Sequence, residues 1–235
     1  MSGKWIPLES NPDVMNKYLG LLGVHSSLRF CDVWGLDPDL LQMIARPVKA
    51  VVLLFPITKK YEAFCKSEEA EIIRSGQTVS PDLYFVRQTI PNACGTIGLL
   101  HALINNKDVL DLRDGPLFRM LERTMNKTPD ERAAALEADQ DLAEMHKLSS
   151  VDGQTEAPSA DDEIDLHFIC FIEKGGNVYE MDGRKPFPIN HGPTTGDLLM
   201  ASKQDSVAVI QRFMSREPEQ VNFSILALAA SQNNE

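Results

Sequence analysis

The chain has 235 residues, 43% of them hydrophobic, which suits one compact globular domain with a real core. No run of roughly 18 uncharged apolar residues occurs, which excludes a helical membrane span. The 34 acidic against 23 basic side chains give a net charge of −11, which argues against nucleic acid and is compatible with a basic partner.

Residues 1–7 lack the apolar stretch and cleavage pattern of a signal peptide, so a cytoplasmic protein is expected. Residues 11–22 carry a helical period after Asn11, and 38–44 read as a short helix capped by Asp37. A branched, apolar strand follows at 48–55, then a charged amphipathic helix over 60–74 that stops near Gly76. Residues 83–87 are predicted as a strand, followed by a proline-containing turn and a helix that begins at about Cys94. Thr128-Pro129-Asp130-Glu131 is an N-cap, a proline at the first helical position and a capping-box glutamate, opening a helix to about Lys147. Strands are predicted at 165–172, Asn177–Met181 and 221–228, with a last helix over 196–214. Helices precede, interrupt and follow the strands without a βαβ rhythm, which favours an α+β fold with an antiparallel or mixed sheet.

One segment departs from the rest. Residues 149–165 hold no aromatic and few apolar side chains, with Ser, acidic residues, one Gly and one Pro, so they are expected to form a long loop, functional or disordered, within one domain spanning 1–235.

Cys31, Cys65, Cys94 and Cys170 are scattered without CxxC spacing, so neither a disulfide framework nor a metal site is expected, and no cofactor. Cys94 differs from the others by its place at a helix start. Unpaired backbone N–H groups and the positive end of the helix dipole favour thiolate there. Ala93, Gly95 and Gly98 keep its surroundings small. His167 lies in the strand at 165–172, and Lys174-Gly175-Gly176-Asn177 reads as a hairpin turn. With Lys174 opposite Asn177, Ile169 faces Asp182 and His167 is its diagonal neighbour. A turn shifted by one residue would set Asp182 directly opposite His167, whereas a three-residue loop would break the pairing. Cys94, His167 and Asp182 thus form a nucleophile, base and orienter set. Gln88, six residues before Cys94, is placed to share an oxyanion site with the Cys94 amide. Cys170 points to the face opposite His167 and is assigned to the core. His101 is expected to pack or lie at the surface, and His191 is the second-choice base.

Gln88-Thr89-Ile90-Pro91-Asn92-Ala93-Cys94-Gly95-Thr96-Ile97-Gly98, Asp165-Leu166-His167-Phe168 and Met181-Asp182-Gly183-Arg184-Lys185-Pro186-Phe187-Pro188-Ile189-Asn190-His191-Gly192 resemble the small ubiquitin carboxyl-terminal hydrolases. The similarity covers essentially the whole chain and includes Arg46-Pro47-Val48 and Leu54-Phe55-Pro56-Ile57-Thr58. Within the family it points to the isozyme that also accepts NEDD8. The resemblance implies a papain-like fold, a mostly antiparallel sheet flanked by helices along a knotted chain path. It implies a deubiquitinating thiol hydrolase that cleaves amides, esters or thioesters after the terminal glycine of ubiquitin. In it Cys94 is the nucleophile, His167 the base and then acid, Asp182 the orienter and Gln88 the oxyanion donor.

The loop at 149–165 matches the family's crossover loop, which restricts the leaving group to something small or unfolded. The implied ubiquitin contacts are Pro7, Leu8, Glu9, Ser10, Asn11 and Pro12; Ser150, Val151, Asp152, Gly153, Gln154, Thr155, Glu156 and Ala157; and Glu217, Pro218, Glu219, Gln220, Val221 and Asn222. Asp32 and Glu156 are the candidate partners of arginines in ubiquitin's tail. The expected partners are therefore ubiquitin and NEDD8, with no nucleic acid or membrane and a monomeric chain. A ubiquitin-sequestering module with weak turnover is the alternative.

Overall fold

The computed structural model describes residues 3–162, 164–200 and 205–231. The elements run α1 (Pro12–Leu21), β1 (Val24–His25), β2 (Leu28–Asp32), α2 (Pro38–Gln42), β3 (Val48–Pro56) and α3 (Lys59–Ser75). Then come α4 (Cys94–Ile104), β4 (Asp111–Leu112), α5 (Pro116–Thr124), α6 (Pro129–Glu137) and α7 (Gln140–Ser150). The last are β5 (Leu166–Lys174), β6 (Asn177–Met181), β7 (Ile189–Pro193), α8 (Ser206–Arg216) and β8 (Ser224–Ala230).

Six strands form one antiparallel sheet in the order β2-β8-β3-β5-β6-β7, and β1 pairs separately with β4. This is the expected α+β architecture. Alternate residues of β5 feed two apolar layers: Phe168, Cys170 and Ile172 face α4, while Ile169 and Phe171 join Ile210 and Phe213 of α8. Helix α4 is apolar on every side and buried from Gly95 to Ile104, as a helix enclosed by protein must be.

Local chemistry explains most boundaries. Asn11 caps α1 through Asp13 N–H, Thr58 caps α3 through Tyr61 N–H, and the Thr128–Glu131 capping box opens α6. The single helix expected from Thr128 to Lys147 is instead two helices, because the Asp139 carboxylate accepts the Leu142 N–H and starts α7. The last helix begins at Ser206, not at 196, where Gly196 has φ +94° and leaves helical space. Residues 201–204 of that predicted helix lie outside the described residues. Strand β8 starts at Ser224 instead of 221.

Residues 83–87 are extended but are not a strand. Side chains replace a neighbouring strand there. Asn105 bonds both Tyr84 N–H and C=O, His101 accepts the Val86 N–H, and Arg132 donates to the Phe85 carbonyl. These backbone groups are satisfied without a ladder.

Candidate active site

The β5–β6 hairpin adopts the register the Gly175-Gly176 turn predicts, with Lys174 opposite Asn177 and Cys170 opposite Met181. Extending that register by one pair sets Asp182 beside Ile169. His167 reaches it diagonally, its Nε2–H donating to Asp182 Oδ1 at 2.7 Å. Both side chains are buried, at 3% and 2% exposure, so water does not compete for this bond. The second ring nitrogen is left for Cys94, whose thiol lies near enough for the two groups to shift each other's protonation. Phe55, the cross-strand partner of His167, sets its ring edge-on to the imidazole at 6.0 Å.

Asp182 is held from further directions. Its Oδ1 also accepts the Arg184 N–H at 2.9 Å, and Tyr61 of α3 directs its hydroxyl at Oδ2 from 3.5 Å. Tyr61 is wedged against Phe55 and Phe213. No sequence signal marked Tyr61, because its pairing joins a helix and a strand end 121 residues apart.

The four thiols divide sharply. Burial pushes Cys31, Cys65 and Cys170 up. Burial raises Cys94 too, but the hydrogen bond and charge of His167, with backbone hydrogen bonds from Phe168 and Gly95, more than offset it and hold this thiol down. Burial alone would lower His167. Asp182 and Cys94 outweigh it and raise the imidazole to about 9. The arrangement can hold a thiolate–imidazolium pair at neutral pH.

Gln88 approaches through the turn after Asp182. Its N–H donates to the Gly183 carbonyl at 2.7 Å. A Cβ on Gly183 would meet Ile97 of α4 at 2.9 Å and Gln88 Cβ at 3.1 Å, so only glycine permits this approach. The side-chain Nε2 donates to the Ile90 carbonyl at 3.2 Å, which fixes the amide with its nitrogen toward the turn. One amide hydrogen stays available, and Oε1 is buried without a partner.

A cavity of about 220 Å³ contains Cys94 and is lined by Pro7, Leu8, Glu9, Ser10, Ser150, Thr155 and Ala157 among others. The structure thus brings together parts of the first two predicted contact segments. Leu8 packs on Gly95 beside the nucleophile. Glu9 ties the loop down: its carboxylate accepts Gln154 N–H at 3.3 Å, Thr155 N–H at 3.0 Å and the Thr155 hydroxyl at 2.6 Å. Gly153 lies directly against the same carboxylate. Asp152 pairs with Lys17 at 2.8 Å, while Val151, Gln154 and Glu156 face solvent.

The other candidates are not at this cavity. Asn11 and Pro12 are spent on starting α1, and Asn11 also donates to Glu9 at 2.8 Å. Asp32 lines a separate cavity of about 500 Å³ with Asp13, Arg29 and exposed Trp34. The Glu217 carboxylate accepts from the Thr58 hydroxyl. Pro218, Glu219, Gln220, Val221 and Asn222 are exposed beyond α8, Val221 at 86%. His191 bonds Glu180 at 2.9 Å and does not serve Cys94. Among the described residues, no group of three or more His, Cys, Asp or Glu is placed to hold a metal ion.

Residues 5–215 match the family model described as ubiquitin carboxyl-terminal hydrolase, family 1. A ubiquitin carboxyl-terminal hydrolase of Drosophila melanogaster is 44% identical, covering 97% of this chain and 98% of its own. A probable ubiquitin carboxyl-terminal hydrolase of Dictyostelium discoideum is 39% identical over 98% of this chain and 90% of its own. The horse isozyme L1 is 42% identical over 94% and 96% of the two chains. The crystal structure of the Trichinella spiralis UCH37 catalytic domain bound to ubiquitin vinyl methyl ester shares the fold, with a TM-score of 0.76 and 22% identity over 97% of each chain. The chain belongs to the ubiquitin carboxyl-terminal hydrolase family of cysteine peptidases.

Proposed function

We propose that this protein is a deubiquitinating thiol hydrolase that cuts after the C-terminal glycine of ubiquitin, with Cys94 as nucleophile. The observation that carries the reading is the chain Cys94–His167–Asp182 beside a cavity that Cys94 lines together with Ser150, Thr155, Ala157 and Pro158. The thiolate attacks the glycine carbonyl, and the oxyanion is received by the Cys94 N–H and the free hydrogen of the Gln88 amide. Imidazolium His167 protonates the departing amine, alcohol or thiol as the C–X bond breaks. Neutral His167 then takes a proton from water, which attacks the thioester and frees the ubiquitin carboxylate and Cys94.

A cavity of about 220 Å³ suits a Gly-Gly tail, which lacks side chains, and a leaving group that is small or unfolded. The net charge of −11 suits a basic modifier surface. Ubiquitin-adduct complexes of the Trichinella relative support the same partner.

The test is hydrolysis of a fluorogenic amide on full-length ubiquitin, beside the same dye on NEDD8 and on the short tail peptide. Rapid cleavage of the ubiquitin conjugate, slow cleavage of the peptide and loss in Cys94→Ala with ubiquitin binding retained are expected. Wild-type turnover by Cys94→Ala would refute the nucleophile. Tight ubiquitin binding with no turnover in wild type would replace the hydrolase with a sequestering module, and a higher kcat/KM on NEDD8 would move the substrate assignment.

A further inference from the structure

We propose that His101 is a positioning residue for this hydrolytic site, an imidazole that joins the helix of Cys94 to the segments carrying Gln88 and Asp182. The inference rests on the hydrolase reading. His101 follows Cys94 by seven residues on α4, two turns on and on the same face. Its Nε2 accepts the Val86 N–H at 3.0 Å, two residues before Gln88. The Met181 backbone, one residue before Asp182, lies near the ring, and Nδ1 is buried without a hydrogen-bond partner. One ring therefore links the backbone stretches that present Cys94, Gln88 and Asp182, three of the four proposed catalytic groups.

The chemistry of the contacts fixes the ring's state. A nitrogen that accepts a backbone N–H carries no proton, so the hydrogen of the neutral ring sits on Nδ1. An imidazolium would set N–H against N–H at Val86. The ring has no exposed surface and stacks on Phe85 at 5.1 Å and 9°. Burial lowers its pKa to about 4; Asp182 on β6's end pulls the other way and Arg132 of α6 adds to the lowering. Such a ring does not exchange protons during turnover at neutral pH. It also does not contact the cavity of Cys94, so its role is geometric.

Among the described residues no strand neighbours 84–86, and their frame is His101 of α4, Asn105 just after it and Arg132 of α6. Val86 is the last of these tethers before Gln88. Without it, the Gln88 amide and the Gly183 carbonyl it holds shift relative to Cys94. A displacement of about 1 Å at such a site costs on the order of a hundredfold in rate.

Two measurements test this on the full chain. Nitrogen-15 NMR of the wild-type imidazoles should show His101 as the Nδ1–H tautomer, unchanged from about pH 5 to 8. An Nε2–H tautomer, or titration near the ordinary 6.5, overturns the proposal. Kinetics on the ubiquitin–dye amide should show His101→Leu reducing kcat about a hundredfold with KM moved less than about threefold. His101→Gln, whose amide can both accept and donate, should recover at least about tenfold of that loss. Rates are normalised to folded protein by titrating ubiquitin binding. Unchanged kcat in His101→Leu, or equal losses in Leu and Gln variants, overturns the proposal. If His101→Leu does not fold, the Gln variant against His101→Asn and the tautomer decide. A wild-type enzyme that cleaves nothing overturns the hydrolase reading itself, a result distinct from active wild type matched by His101→Leu.

Discussion

Replacing Asp182 by Asn keeps the shape of the side chain and removes its charge, which isolates the electrostatic part of the site. The carboxylate lies 2.7 Å from His167 Nε2 in a place that is 2% exposed, so solvent screening is weak. His167 rises from 6.5 to about 9 despite its burial, and Asp182 leads the causes that raise it. At 1.36 kcal/mol per pH unit, that rise corresponds to roughly 3 kcal/mol of imidazolium stabilisation. With the charge gone, burial acts unopposed except by Cys94, and the ring falls to or below its ordinary value. The equilibrium constant that favours the thiolate–imidazolium pair over the neutral pair then falls by about two orders of magnitude.

The assay is the pH profile of Cys94 alkylation by iodoacetamide, taken with kcat on the ubiquitin–dye amide. In wild type the pair persists from the depressed thiol pKa up to about 9, where His167 loses its proton. In Asp182→Asn the upper limit should move to neutral pH or below, and kcat at pH 7 should fall by about two orders of magnitude. An upper limit that stays near 9, with alkylation at pH 7 unchanged, would refute the assignment of that charge to this role.

Two further outcomes follow from groups away from the nucleophile. Glu9→Ala removes every side-chain bond that Glu9 makes to Gln154 and Thr155, so amide exchange and protease cutting within 150–162 should speed by about tenfold or more. Protection equal to wild type would show that the Lys17–Asp152 and Lys4–Asp161 pairs suffice to hold the loop. Acid should destabilise the fold through His101 and His146, both buried and both lowered to about 4 by burial. A folded pKa below the unfolded 6.5 means that stability is complete above 6.5 and drains as pH falls toward 4, by up to about 3 kcal/mol per ring. Urea midpoints that stay flat from pH 7 to pH 4 would contradict it.

The sequence by itself determined the local machinery. A Pro–Asn–Ala turn before an apolar run set the helix start at Cys94, and Gly175-Gly176 set the hairpin register that carries His167 to Asp182. Both depend on neighbours within about fifteen residues, where turn chemistry and strand alternation dominate. The helix starts at Asn11 and Thr128 are legible for the same reason. The family motifs carried the fold class further than periodicity could.

Tertiary structure decided the rest. Residues 83–87 have a strand's composition, yet which group answers each N–H depends on α4 and α6 folding against them. Strands β2 and β7 and helix α5 passed unmarked because their burial is shared with distant elements. Tyr61 behind Asp182, Glu9 under the loop and His101 between three segments all act across 15 to 146 residues of chain. Sequence spacing carries no distance information at that range, since loop closure is nearly indifferent to length. Only the packed sheet and its helices bring those groups within hydrogen-bond reach.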